Sequence, residues 1–269
     1  MMFKTIRVCG FATLMLCAMT MTAQDPSAAS LYNDGLEKAK AKEYAEALTL
    51  FEQAMEVADP ADEKGARVLS LSRKNAARAA YALGFKHRKA KEYDQAMAMY
   101  EKGAGYNPDY HSNFQGIAQV FEAKDMEAEA VAAYITAGDV AIKSGKKDKA
   151  QPLYDKAANI VELVAASSDW DLTMACVSAF TDGGQEAAEV YYAAAKAYDG
   201  QGDAGAALEQ IEKAIAAAGD EDASKFYFLK GECHGKLGQK TAAIEAYGKV
   251  TEAKYAERAR YEIDQLNGG

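Results

Sequence analysis

A pair of residues at fixed spacing recurs along the chain. A small residue is followed four positions later by a large apolar one: Ala47 and Phe51, Ala96 and Tyr100, Ala130 and Tyr134, Ala207 and Ile211, Ala243 and Tyr247. Four positions is about one turn of α-helix, so both side chains share a face. The alanine lets a neighbouring helix approach, and the large residue fills the space beside it. Upstream of each pair, where a preceding helix is expected, stands another small residue: Gly35, Gly84, Ala118, Ala195 and Gly231. Longer strings repeat as well. Lys42-Glu43-Tyr44-Ala45-Glu46-Ala47 parallels Lys91-Glu92-Tyr93-Asp94-Gln95-Ala96, and the theme returns at Gly202–Ile211 and Gly238–Tyr247. A repeat of this period restricts the chain to an array of stacked helix pairs, each burying its apolar face on its neighbours.

The composition fits helix throughout. The chain is 49% hydrophobic and has only 4 prolines in 269 residues. Alanine supplies much of the apolar content and is the best helix former. The formal net charge of −9 lacks the basic footprint that nucleic-acid binding needs, so no nucleic-acid partner is expected.

The repeat resembles the tetratricopeptide repeat (TPR) family, whose unit is a helix-turn-helix of about 34 residues. The unit fits windows 28–61, 77–110, 111–144, 188–221 and 224–257, and Asn107-Pro108 falls where the family ends a unit. The resemblance implies an all-α, right-handed helical-hairpin solenoid over residues 28–269, made of six hairpins and a final helix. Two segments depart from the pattern. Gly138, Gly145, Ala150, Tyr154 and Ala157 form a further signature in a frame that overlaps the third unit. One helix, about 127–143, is not expected to serve two units in a regular solenoid. Residues 147–182 are therefore read as one degenerate hairpin, with Trp170 opening its second helix. Residues 61–76 are read as an extension of the following helix. The last helix, Tyr255 to Leu266, mixes Arg258, Arg260, Glu262 and Asp264 with Ala259, Ile263 and Leu266, as a cap with one polar face should.

The N-terminus reads as a secretory signal over residues 1–23. Lys4 and Arg7 precede an apolar run from Val8 to Met19, which ends in Thr20-Met21-Thr22-Ala23. Residues 24–27 form a short linker. Cleavage after Ala23 removes two cations and no acid, so the charge of −9 becomes −11. The expected location is the periplasm or cell surface. An outer-membrane lipoprotein acylated at Cys17 is the alternative, although Leu16 is a poor residue before such a cysteine. No later stretch is long and apolar enough to span a bilayer. Cys176 and Cys233 remain in an exported chain, where a disulfide has to be weighed. A whole hairpin is expected to separate them, which favours two buried thiols.

No catalytic constellation is present in the sequence. His87, His111 and His234 sit in no zinc motif, and Cys233-His234 has no partners at ligand spacing. Asp199, Asp203, Asp220 and Asp222 lie in turns and match no calcium loop. No metal, cofactor or enzymatic activity is expected.

One region stands out. From Lys64 to Lys91 the chain carries nine Lys/Arg and no acid. Lys64, Arg67, Lys74, Arg78, Arg88 and Lys89 fall near one helical line, together with Tyr81 and Phe85. In TPR proteins the first helix of each unit lines the concave surface, and the resemblance places Arg78, Tyr81, Phe85 and Arg88 there. Equivalent positions elsewhere are Tyr32 and Leu36, Gln115 and Gln119, Tyr192 and Lys196, Phe228 and Glu232. Arginine and aromatic side chains carry much of the energy of protein interfaces. The candidate partner-binding residues are thus Arg78, Tyr81, Phe85, Arg88, Tyr32, Tyr192 and Phe228. The expected function is a non-enzymatic protein-interaction scaffold of the cell envelope, holding an extended, acidic segment of another protein or peptide. A carrier of glycan or small ligand is the alternative.

Overall fold

The computed structural model describes residues 26–219 and 222–268; the N-terminal segment read as a secretory signal lies outside the described residues. Within them the chain forms thirteen helices and no strand. In chain order these are α1 (Ala28–Lys40), α2 (Tyr44–Val57), α3 (Glu63–Lys89), α4 (Tyr93–Tyr106), α5 (His111–Ala123), α6 (Glu127–Lys143) and α7 (Lys147–Ala166). They are followed by α8 (Trp170–Asp182), α9 (Ala188–Gly200), α10 (Ala204–Ala218), α11 (Ser224–Lys236), α12 (Lys240–Tyr247) and α13 (Ala253–Gly268). Each helix packs on the next, which is the linear order of a helical solenoid.

Local chemistry sets several of the helix ends. Ser27, Asp62, Asp169 and Asp203 each accept a hydrogen bond from a backbone N–H of the first turn they precede. The turns closing α1, α3, α5, α6, α7, α8, α9 and α11 share one geometry. Two residues past the last helical position, the backbone enters the left-handed region at Lys42, Lys91, Asp125, Gly145, Ser168, Gly184, Gly202 and Gly238. Glycine takes that conformation at no steric cost, whereas the non-glycine positions bear strain.

Pairing within hairpins follows a single contact. The rings of Phe51, Tyr100 and Tyr247 lie over Gly35, Gly84 and Gly231, so closely that a Cβ on the glycine would sit 2.5–2.8 Å from ring carbon Cε1. Phe51 and Tyr100 are fully buried. Burying one such side chain contributes about 1.5–3 kcal/mol. Tyr100 is gripped on both sides, because Gly116 of α5 would also place a Cβ 2.4 Å from its Cε1.

The middle of the array differs from the expected hairpin at 147–182. Tyr154 of α7 lies over Gly138 of α6, with the same close approach, at 2.3 Å. The turn between α6 and α7 has the left-handed residue, Gly145, that marks every tight hairpin here. Yet α6 also packs on α5, with Ala118, Ala130 and Tyr134 in one core cluster. One helix therefore does serve two pairs. At 17 residues, α6 is longer than the 13 residues of α5, which lets it offer one stretch to each neighbour. The consequence falls on α8. It packs less on α7 than α7 does on α6, and it stands as an unpaired helix against α6, α7 and α9. Gly200 at the end of α9 lies under the Trp170 ring that opens α8.

Cys176 and Cys233 are free, buried thiols in separate core clusters. Burial pushes both up to about 12. No helix among the described residues is long and apolar enough to cross a membrane.

Candidate interaction groove

The basic stretch folds as α3, 27 residues carrying eight Lys/Arg and a single acid, Glu63. None of the eight pairs with a carboxylate among the described residues, and the helix's one ion pair is His87 with Glu92. Elsewhere lysines commonly sit on acids, as Lys102 does on Glu52 and Lys236 on Asp199.

The candidate residues fall into two groups. In the first, Tyr32 of α1 joins α3 through Asn75, whose amide donates to the Tyr32 hydroxyl at 3.1 Å. Arg78 is exposed and donates to the same Asn75 at 3.4 Å. Tyr81 is half-buried and packs on Tyr100 and Tyr110, with ring centroids 5.8 and 6.0 Å away. Burial raises its hydroxyl pKa, which keeps the phenol neutral. Phe85 is 42% exposed. The Arg88 guanidinium lies 5.4 Å from the Phe85 ring centroid. Its Nε is buried without a hydrogen-bond partner, as is the Tyr100 hydroxyl.

The second group lies in the C-terminal half. Tyr192 of α9 packs on Phe226 of α11 at 5.3 Å. Phe228, expected to face a partner, is buried instead. Tyr255 and Arg258 of α13 cover its ring, at 5.7 and 4.9 Å, and Arg258 also pairs with Glu232 at 2.8 Å. The terminal helix thus fills the place where a ligand would meet Phe228.

A cleft that the sequence did not single out runs past Arg88 onto α5 and α7. One part, about 500 Å³, is lined by His111, Gln115, Gln119, Tyr134, Lys149 and Lys156 among others. A second, about 450 Å³, is lined by Arg88, Gln119, Glu122, Ala123, Tyr134 and Lys156. Glu122 accepts from the Tyr134 hydroxyl at 2.8 Å and from Lys156 Nζ at 2.7 Å. These residues lie on four helices, and Arg88, by its place on the basic helix, and Gln115 and Gln119, by their repeat position, were recognisable in advance. No group of three or more His, Cys, Asp or Glu side chains among the described residues is placed to hold a metal ion.

Stacked hairpins define a helical-repeat protein. The family model of the tetratricopeptide repeat matches residues 116–160, 188–221 and 224–256, so the chain carries tetratricopeptide repeats at those places. The first match starts within α5 and runs into α7, spanning the shared helix. Similar solved structures include the C-terminal part of a TPR repeat-containing protein from Cytophaga hutchinsonii. It is 16% identical, with a TM-score of 0.41, and the match covers 88% of this chain and 88% of that one. A tetratricopeptide repeat protein from Parabacteroides merdae is 14% identical, with a TM-score of 0.34, covering 89% of this chain and 98% of that one. The APC/C hetero-tetramer Cut9-Hcn1 is 13% identical, with a TM-score of 0.38, covering 88% of this chain. This chain spans only 48% of the length of that one. No curated protein matches the chain.

Proposed function

We propose that this protein is a non-enzymatic scaffold of the cell envelope that holds an extended, acidic segment of another protein in its groove. The observation that carries this reading is the α3 surface. Eight Lys/Arg without carboxylate partners among the described residues lie on one helix of a chain whose net charge is −9. Unpaired cations beside an exposed aromatic ring, here Phe85, are the elements of a recognition surface for carboxylates and flat apolar groups. Arg78, Tyr81, Phe85 and Arg88 supply both within one stretch of helix. The segment read as a secretory signal supports an envelope location, in the periplasm or at the cell surface.

Crosslinking in intact cells, followed by capture of the tagged protein, tests the reading. The wild-type chain is expected to retain one envelope protein reproducibly, and Arg78→Glu/Arg88→Glu is expected to lose it. The loss amounts to a few kcal/mol at most and is larger at low salt. Helix content should be unchanged, since exposed charges contribute little to folding. Equal capture by the variant, or no captured protein together with a ligand-induced melting shift, would overturn the scaffold reading in favour of a carrier.

A further inference from the structure

We propose that the cleft between α3, α5 and α7 selects a partner segment by one carboxylate side chain, which seats on Arg88 while Gln115 and Gln119 hold the segment's backbone. The proposal rests on the extended-segment reading above and adds what the segment must carry.

The two hollows share Gln119, Tyr134 and Lys156, so they form one cleft with Arg88 at one end and His111 at the other. Its lysines are already neutralised. Lys156 pairs with Glu122 at 2.7 Å, and Lys149 with Asp148 at 3.0 Å. Glu122 is further engaged, because its other carboxylate oxygen accepts from the Tyr134 hydroxyl. Arg88 is the cation left over. Its Nε finds no acceptor, and its guanidinium lies near Phe85 with no carboxylate in ion-pair range among the described residues. A buried guanidinium N–H without an acceptor is costly, and the nearby Tyr100 hydroxyl, itself without a partner, brings no charge. A carboxylate arriving from outside supplies the missing charge and accepts two hydrogen bonds from the terminal nitrogens of the guanidinium fork.

The glutamines explain why the ligand is an extended chain. Gln115 and Gln119 are one turn apart on one face of α5, about 6 Å along the axis. Two residues of extended chain span about 6.6 Å. Successive glutamines therefore meet alternate peptide units, and each amide offers both a donor and an acceptor. Neither side chain is hydrogen-bonded within the described residues, and neither is buried without a partner, so both amides are open to the cleft. At the far end His111 is only 8% exposed, and its Nδ1 is buried without a partner. Burial, with Lys146 and Lys149 nearby, holds the ring neutral. Among the described residues the cleft thus presents one cation without a carboxylate partner, two ion pairs and a row of neutral polar groups. That pattern suits a single acidic side chain on an extended backbone better than a polyanion.

The probe is a set of terminally blocked octapeptide pools, random except at one position fixed as Glu, Asp, Gln or Asn. Binding to the full folded chain is measured at low salt. Glu or Asp pools should bind about tenfold more tightly than the matching amide pools, the difference expected of one charge-assisted pair. Arg88→Gln should erase that preference. Arg88→Lys should keep part of it, and Gln119→Leu should weaken all pools alike. Circular dichroism checks that each variant folds. If Arg88→Gln does not fold, the wild-type preference, its loss at high salt and its reduction in Arg88→Lys decide the matter. Equal binding of acid and amide pools by the wild-type chain, or an undiminished preference in Arg88→Gln, overturns the proposal. Should the envelope partner still be captured in cells in that case, the scaffold reading stands and only the Arg88 seat is wrong. Absence of both capture and pool binding overturns both.

Discussion

Tyr154 of α7 lies directly over Gly138 of α6, where a Cβ on the glycine would stand 2.3 Å from ring carbon Cε1, and its hydroxyl donates to neighbouring Asp139 at 2.7 Å. This contact makes α6 the partner of α7, although α6 also packs on α5.

The contact leaves no room for a methyl group. Gly138→Ala should destabilise the protein by about 1–3 kcal/mol, since the ring must leave both its seat and its hydrogen bond. Gly235→Ala is the matched control. That glycine also lies in a helix, α11, but an added Cβ meets nothing within 4 Å. It should be neutral or stabilising by up to about 1 kcal/mol. Chemical denaturation of the two variants checks both signs.

Much of the array was legible because its rule is local. Gly35 with Phe51, Gly84 with Tyr100 and Gly231 with Tyr247 announce a close helix pair wherever they occur. The signature at Gly138 and Tyr154 was equally visible. Its meaning was not, because the assumption that each helix serves one pair set it against the signature at Ala118 and Tyr134. Which frame wins depends on whether a helix is long enough to serve both, and that is a tertiary fact. The groove shows the same division. Arg78, Tyr81, Phe85 and Arg88 share a helix, so spacing alone groups them. Glu122, Tyr134 and Lys156 come from three helices, and nothing in the spacing of one helix shows that they converge beside Arg88. Phe228 was misplaced for a related reason: its repeat position resembles the others, but the last helix folds over it.

The strained turns offer a gain in stability. Lys91 is an exposed residue at φ 62°, in a turn where other hairpins use glycine. Lys91→Gly should remove about 1 kcal/mol of strain, partly offset by the greater entropy of the unfolded glycine chain. A small rise in melting temperature is expected, and a fall would show that the side chain makes a stabilising contact.

The two thiols should be inert. With burial raising both to about 12, Cys176 and Cys233 hold almost no thiolate at mildly alkaline pH. Iodoacetamide should modify neither in the native protein and both in guanidinium, as read by intact mass. Modification of one thiol in the folded state would reveal local opening around that helix.

His111 should make stability depend on pH in the mildly acidic range. Burial first, then Lys146 and Lys149, hold its pKa below the ordinary value of 6.5, against a smaller opposing effect of Asp148. The unfolded ring therefore binds a proton more readily than the folded one. The contribution to stability is complete above about pH 6.5 and is lost as the pH falls through the folded value. His111→Gln should lose less stability than the wild-type chain between about pH 7.5 and 5.5. An identical loss in the two proteins would mean that carboxylates elsewhere set the whole slope.

The double use of α6 also bears on how such an array changes its length. Arrays grow and shrink when whole hairpins are copied or dropped, and each copy must bring both of its helices. Around α6 no cut yields a complete unit: excising α5 with α6 strips α7 of its partner, and duplicating α6 with α7 leaves the new α6 without an α5. The flanks α1–α4 and α9–α12 divide cleanly into pairs. Insertions and losses in homologous genes should accordingly collect on either side of a centre whose register is locked.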